Sequence, residues 1–137
     1  MSAADGLNSI PQSHAITILV VDDEPSVQRL LQHLLSAKGY QVTAAMTADQ
    51  AIGILTHQSV DAVVLDVRMP GRSGLDVLKF ARRNERLRNV PVLILTGVKL
   101  QPEEEALIAS HRAYVFYKSE NLELLAEHLA RLTTVGG

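Results

Sequence analysis

The chain contains no cysteine. That excludes a disulfide framework, a zinc–thiolate centre and a thiol nucleophile, and it agrees with a reducing compartment. Long apolar runs are also missing. Stretches such as Ala62–Leu65 are far too short to span a bilayer, which takes about 20 apolar residues. Charge of one sign is scarce as well. The formal net charge is −2, which leaves no electrostatic footprint for nucleic acid or for an anionic membrane. Gly71 and Gly74 lack the pattern of a glycine-rich phosphate loop, so nucleotide binding is not expected. Residues 1–14 have neither a basic start nor an apolar stretch of signal-peptide length, and a cytoplasmic location is expected.

What is present is a regular alternation. Short apolar runs occur at 16–21, 41–45, 62–65, 92–95 and 114–117. Three of them are nearly continuous and rich in β-branched residues, as in strands covered on both faces. Helical patterns fill the intervals. Val27, Leu30, Leu31, Leu34 and Leu35 follow the spacing that lines one helix face, with Pro25 suited to its first turn and Gly39 to the left-handed position after its last. Thr47 with Gln50 and Ser73 with Asp76 read as capping boxes. Pro102 followed by Glu103, Glu104 and Glu105 opens a fourth helix with solvated acids, and Leu122, Leu125, Leu129 and Leu132 mark the fifth. The order βαβαβαβαβα within 137 residues predicts one α/β domain with a parallel sheet between helices, spanning 15–134. Residues 1–14 read as a flexible arm and 135–137 as a tail.

In such a sheet, ligands bind beyond the carboxyl ends of the strands. Those ends carry Asp22 and Asp23, then Asp66, Thr96 and Lys118. Three carboxylates that close together repel one another, and a hard divalent cation with oxygen ligands relieves the conflict. A carboxylate is also a competent nucleophile toward phosphorus, and it is already ionised at neutral pH. A lysine charge and a hydroxyl donor are suited to neutralising a phosphoryl group in transfer. Taken singly, each signal has a plainer reading: a capping turn for Asp22-Asp23, a turn residue for Asp66, a strand end for Thr96, a solvated lysine for Lys118. The five histidines share no metal-ligand spacing, and Arg82, Arg83, Arg86 and Arg88 read as a solvated basic helix end.

The set Asp22-Asp23, Asp66, Thr96 and Lys118, with Met69-Pro70-Gly71 after the central aspartate, resembles the response-regulator receiver domain of two-component signalling. The separations of 30 residues from Asp66 to Thr96 and 22 from Thr96 to Lys118 agree with that family. The resemblance implies a flavodoxin-like, doubly wound five-stranded sheet of order 2-1-3-4-5. It implies Mg²⁺ as cofactor, with Asp23 and Asp66 as direct ligands, Asp22 acting through water and the carbonyl of Arg68 completing the set. It further implies Asp66 as phosphoacceptor, Thr96 and Lys118 as phosphoryl contacts, and a switch region at Tyr114, Val115, Phe116 and Tyr117. The partners so implied are a sensor histidine kinase or phosphotransfer protein, a downstream target or fused output domain, and a phosphorylation-dependent homodimer, without direct contact to nucleic acid or membrane. The only catalysis expected is the chain's own phosphorylation and dephosphorylation. Two other functions fit the same residues: a constitutive docking module and a Mg²⁺-dependent phosphohydrolase. Three positions depart from the family pattern. Ser119 stands where proline usually follows the lysine, Val115 where an aromatic is usual, and His111-Arg112 where a Gly-Ala pair is common. A trans bond before Ser119 is expected, because cis before a non-proline residue costs roughly 2.5–4 kcal/mol, and Ser119 could then help cap the last helix.

Overall fold

The structure, a computed structural model, describes residues 15–134. The arm at 1–14 and the tail at 135–137 lie outside the described residues. Five strands, β1 (Thr17–Val21), β2 (Gln41–Ala45), β3 (Ala62–Leu65), β4 (Val92–Thr96) and β5 (Tyr114–Tyr117), alternate with five helices. These are α1 (Pro25–Ala37), α2 (Ala48–His57), α3 (Gly74–Arg83), α4 (Pro102–Ser110) and α5 (Leu122–Thr134). All strand pairs are parallel and the sheet order is β2-β1-β3-β4-β5, as the family resemblance implies. Among the described residues, no helix is long and apolar enough to cross a membrane.

The near-continuous apolar strands follow from a core on each face. Side chains alternate across the sheet, so Leu19, Val21, Val63, Leu65 and Ile94 pack under α2, α3 and α4. Their neighbours Ile18, Val20, Val64, Leu93 and Leu95 pack with Leu31 and Leu35 of α1 and Leu125 and Leu129 of α5. Burying one such leucine contributes about 1.5–3 kcal/mol, so the two layers fix which strand residues point to which face.

The helix ends refine the sequence reading. Gly39, at φ +91°, ends α1 in the left-handed region, and Pro25 opens it. Thr47 accepts from the Gln50 N–H at 3.0 Å, while Gln50 Oε1 accepts from Met46 N–H at 2.7 Å, one residue earlier than a capping box would have it. Ser73 accepts from the Leu75 N–H at 3.1 Å and not from that of Asp76, which donates to the Ser73 carbonyl, and no side-chain bond returns from Asp76 to close a capping box. No peptide bond among the described residues is cis, so the Lys118–Ser119 bond is trans. Ser119 does not cap α5, however. Asn121 Oδ1 takes that place, accepting from the Glu123 N–H at 2.9 Å.

Three charged side chains expected to be solvated are structural instead. Arg82 donates to the carbonyls of His111 (2.7 Å) and Val90 (2.8 Å), and Arg86 donates to those of Leu55 and Gln58. Guanidiniums thus satisfy carbonyls at the ends of α2 and α4 and ahead of β4, and they tie the end of α3 and the loop after it to their neighbours. In α4, Glu104 accepts from the Gln101 N–H at 2.7 Å and is paired with Arg68. The left-handed position before β5 falls on Arg112, at φ 58°, and Ala113 follows it into the core.

The two glycines within helices should respond oppositely to alanine. A Cβ on Gly74 would lie 1.8 Å from the carbonyl oxygen of Asp66, whereas a Cβ on Gly53 in α2 would meet nothing within 4 Å. Gly74→Ala should therefore lower stability by about 1–3 kcal/mol or more by displacing the backbone. Gly53→Ala should raise it by about 0.5–1 kcal/mol. Denaturant unfolding of both variants checks the contrast.

Candidate functional site

The carboxyl ends of β1, β3, β4 and β5 meet above the centre of the sheet, where the chain passes from β1 to either side. Asp22 and Asp23 follow β1 and Asp66 follows β3; parallel pairing sets their height, with Val21 opposite Leu65. One carboxylate oxygen from each of the three lies within 4.8 Å of the others. Asp22 and Asp66 are only 1% and 4% exposed, while Asp23 is partly open.

Lys118 reaches into this group from the end of β5. Its Nζ is 3.1 Å from Asp22 Oδ2 and 3.5 Å from Asp66 Oδ2, and it is also paired with Glu24. The backbone fixes that approach: the Lys118 N–H donates to the Thr96 carbonyl at 2.8 Å. The lysine stem runs past Gly97, where a Cβ would stand in van der Waals contact, 3.4 Å from Lys118 Cδ. Burial lowers the ammonium pKa, but the hydrogen bond to Glu24, the ion pair with Asp22 and the charge of Asp66 outweigh it, so the net shift is upward and Lys118 stays charged.

One lysine does not satisfy the site. Burial, with the Asp22 charge behind it, raises the Asp66 carboxyl to about 6, against partial relief from Lys118. Burial raises Asp22 as well, against the Glu24 N–H bond. Although Asp22 Oδ2 sits at ion-pair distance from Lys118, it has no hydrogen-bond partner. An unsatisfied buried carboxylate oxygen amid three acids is the environment a hard cation with oxygen ligands would complete. The donor set therefore fits Mg²⁺.

Not every expected residue joins the group. Thr96 is fully buried, and its hydroxyl turns to its own loop, bonding the Val98 carbonyl (3.2 Å) and N–H (3.3 Å). The cavity over the acids, about 420 Å³, is lined by Asp23, Glu24, Asp66, Arg68, Gly97, Val98 and Lys118 but not by Thr96. The Arg68 N–H donates to Asp66 Oδ1 at 3.3 Å, and its guanidinium forms a two-pronged pair with Glu104. That pair, with the Gln101 N–H, holds the Glu104 carboxyl down to about 2. In the expected switch region, Tyr114 and Val115 are exposed, Phe116 is buried against α5, and Tyr117 is half-buried. The Tyr114 ring lies 5.6 Å from that of His128.

Three contributors were missed from sequence. Gln28 sits on the buried face of α1, and its amide nitrogen lies 3.0–3.1 Å from the carbonyls of Val20, Asp22 and Ala45, pinning the β1 end. A polar residue on an otherwise apolar stripe was the available signal. Glu24, the third acid of its run, takes part of the lysine. Gly74 allows α3 to start against the Asp66 carbonyl.

The raised carboxyls make stability depend on pH. The folded chain binds more protons than the unfolded one between pH 3.8 and about 6, so this contribution falls as pH rises through that window. Asp66→Asn should therefore stabilise the metal-free chain at pH 7.5, by about 1–3 kcal/mol, and hardly at all at pH 4. Urea unfolding in chelator at the two pH values tests this.

Comparison with known proteins follows the geometry. The sequence model of the response regulator receiver domain matches residues 18–130. The Bacillus subtilis protein named uncharacterized transcriptional regulatory protein YrkP is 34% identical over 119 residues, covering 86% of this chain and 50% of that protein. The chain thus spans about half the length of that curated relative, and 20–34% of several others. The solved structure of the response regulator TrrA of Thermotoga maritima, in complex with Mg²⁺-BeF, is 32% identical with a TM-score of 0.75, covering 85% of this chain and 98% of that one. The Vibrio cholerae chemotaxis protein CheY4 is 28% identical with a TM-score of 0.79, covering 87% and 99%.

Proposed function

The chain belongs to the response regulator receiver family of two-component signalling, and from that premise we propose that Asp66 is the residue that takes the phosphoryl group. The observation that carries the assignment is the buried acid cluster, three carboxylates within 4.8 Å of one another with Lys118 Nζ 3.5 Å from Asp66. Asp66 is the member that faces the cavity while hydrogen-bonded to the loop after β3. Asp23, Asp66 and the Arg68 carbonyl would hold Mg²⁺ directly and Asp22 through water. Bound there, the cation supplies charge neutralisation for the phosphate oxygens.

In the transfer, a carboxylate oxygen of Asp66 bonds to phosphorus as the bond from phosphorus to the donor nitrogen or oxygen breaks. The leaving group departs with that electron pair. Lys118 stabilises the charge on the phosphoryl oxygens, and Thr96 joins it once its hydroxyl leaves the Val98 loop. That rotation drags Val98 and the β4–α4 connection, which is how a local anion would reach the surface formed by α4 and β5. Exposed Val98, Tyr114 and Val115 there would receive a downstream target or a second copy of the chain.

The donor is a histidine kinase or a phosphotransfer protein, and the acting unit is residues 15–134 in the cytoplasm, without nucleic-acid or membrane contact of its own. A constitutive docking module or a phosphohydrolase would not account as directly for a buried acceptor balanced by a lysine. Intact mass after acetyl phosphate should show one added phosphoryl group in Mg²⁺, none in excess chelator, and none on Asp66→Ala. Asp23→Ala should weaken Mg²⁺ affinity more than Asp22→Ala. Labelling of Asp66→Ala, or full labelling in chelator, contradicts the assignment.

The Arg68–Glu104 pair ties the acceptor loop to the first turn of α4. A phosphoryl dianion on Asp66 gives that guanidinium a second anion to bind, which loosens α4. Glu104→Gln weakens the pair but keeps an oxygen for the Gln101 N–H. It should speed amide exchange over residues 98–106 several-fold in the unphosphorylated chain and shrink the further change on phosphorylation. Unchanged exchange would remove the pair from the switching path.

A further inference from the structure

The sheet edge opposite the acceptor site carries a second charged depression. Pro91, just before β4, and Tyr114, at the start of β5, line a cavity of about 210 Å³ shared with Arg82, Arg88 and Arg112. Among the described residues, none of these three guanidiniums forms an ion pair with a carboxylate. Two are held by main-chain acceptors: Arg82 by the carbonyls of His111 and Val90, and Arg112 by the carbonyl of Arg88 at 2.8 Å. A guanidinium has five N–H donors, so most donors of the trio have no acceptor among the described residues.

Capping of helix ends accounts for Arg82 but not for the convergence. Arg112 stands at φ 58°, in the left-handed region that glycine occupies without strain. A bulky cation there adopts a disfavoured backbone and brings its charge toward two others of the same sign. Burial, and then the Arg112 charge, already lower the pKa of Arg82. The left-handed turn itself closes α4, with the Arg112 N–H on the Ala109 carbonyl and the Ala113 N–H on that of Ile108, but a cation at that position beside two others points to a group that is bound rather than to stability. The cavity lies below the roughly 300–1,000 Å³ usual for drug-sized ligands, so its occupant is small.

We propose that Arg82, Arg88 and Arg112 form a binding site for a small, multiply charged phosphate-type oxyanion, inorganic phosphate or diphosphate or the terminal group of a small phosphate ester. The planar forks of Arg82 and Arg112 are fixed in advance, which favours paired contacts to adjacent phosphate oxygens. The site lies at the amino ends of β4 and β5. It is therefore separate from the acceptor cavity at their carboxyl ends, and the two can be read independently.

The full-length chain, in chelator and at constant ionic strength, would be titrated calorimetrically with inorganic phosphate, diphosphate and malonate, with chloride as the matched control. Diphosphate should bind saturably and more tightly than phosphate, and malonate more weakly than both. Proton–nitrogen spectra should move at Arg82, Arg112 and Tyr114 and stay still at Asp66 and Lys118. Arg112→Gly should weaken diphosphate binding at least tenfold while keeping or raising the unliganded melting temperature, because it relieves the strained backbone. Arg88→Gln, an exposed change that leaves the backbone untouched, should weaken it at least tenfold as well. No saturable binding beyond the chloride control would overturn the proposal, as would affinities unmoved by both substitutions. Malonate binding as tightly as diphosphate would overturn the phosphate assignment.

Discussion

The contest between Asp22, Asp66 and Lys118 is the constraint around which the rest of the molecule is arranged. Two buried carboxylates cannot both be ionised at close range without a counter-charge, and a single ammonium shared with Glu24 leaves Asp66 raised to about 6. A fold selected for stability alone would replace such a group with apolar side chains. Here it is kept, and the surrounding structure holds it in place. Parallel pairing sets the heights of the strand ends, Gln28 clamps the end of β1, and Gly74 lets α3 begin against the Asp66 carbonyl. The lysine arrives through the Thr96 carbonyl and past Gly97. Each of these contacts spends local freedom to hold charge that only a cation and a phosphate would complete.

The same logic connects the site to the surface. Thr96 and Arg68, which end or follow the strands beside the acids, are satisfied elsewhere, one by its own loop and one by Glu104. The Thr96 bonds are neutral and the Arg68–Glu104 pair is solvent-exposed, so a phosphoryl dianion in a partly dry site, where charge-assisted bonds are strongest, would compete with both. An anion on Asp66, as proposed, would redirect donors that already have partners, and the partners they would leave lie at the entrance to α4. The coupling needs no new contact at a distance. It needs only two sets of acceptors for the same donors.

Much of this was legible in the sequence because the fold is regular. The continuous apolar runs at Ala62–Leu65 and Val92–Leu95 belong to strands buried on both faces, and their boundaries agree with β3 and β4 to within a residue. The polar residues at the strand ends were readable because they interrupt those runs. What was not legible depends on where side chains meet across the chain. Glu104 looked solvated because its partner, Arg68, is 36 residues away. Arg82 and Arg86 looked like a basic helix end because the carbonyls they bind belong to other elements. The cap of α5 went to Asn121 and not Ser119, a choice set by loop geometry over two residues that propensity does not resolve. The placement of Thr96 likewise depends on a side-chain torsion. Composition has no access to it.

The titration of the Asp66 carboxyl carbon by NMR, with and without Mg²⁺, tests the central claim most directly. Without metal, the signal should titrate near pH 6, because burial and the Asp22 charge outweigh Lys118. With saturating Mg²⁺ the midpoint should fall below the ordinary carboxylate range, as the cation takes the place of the proton. An Asp66 carboxyl that titrates near 3.8 without metal and does not respond to Mg²⁺ would contradict the account.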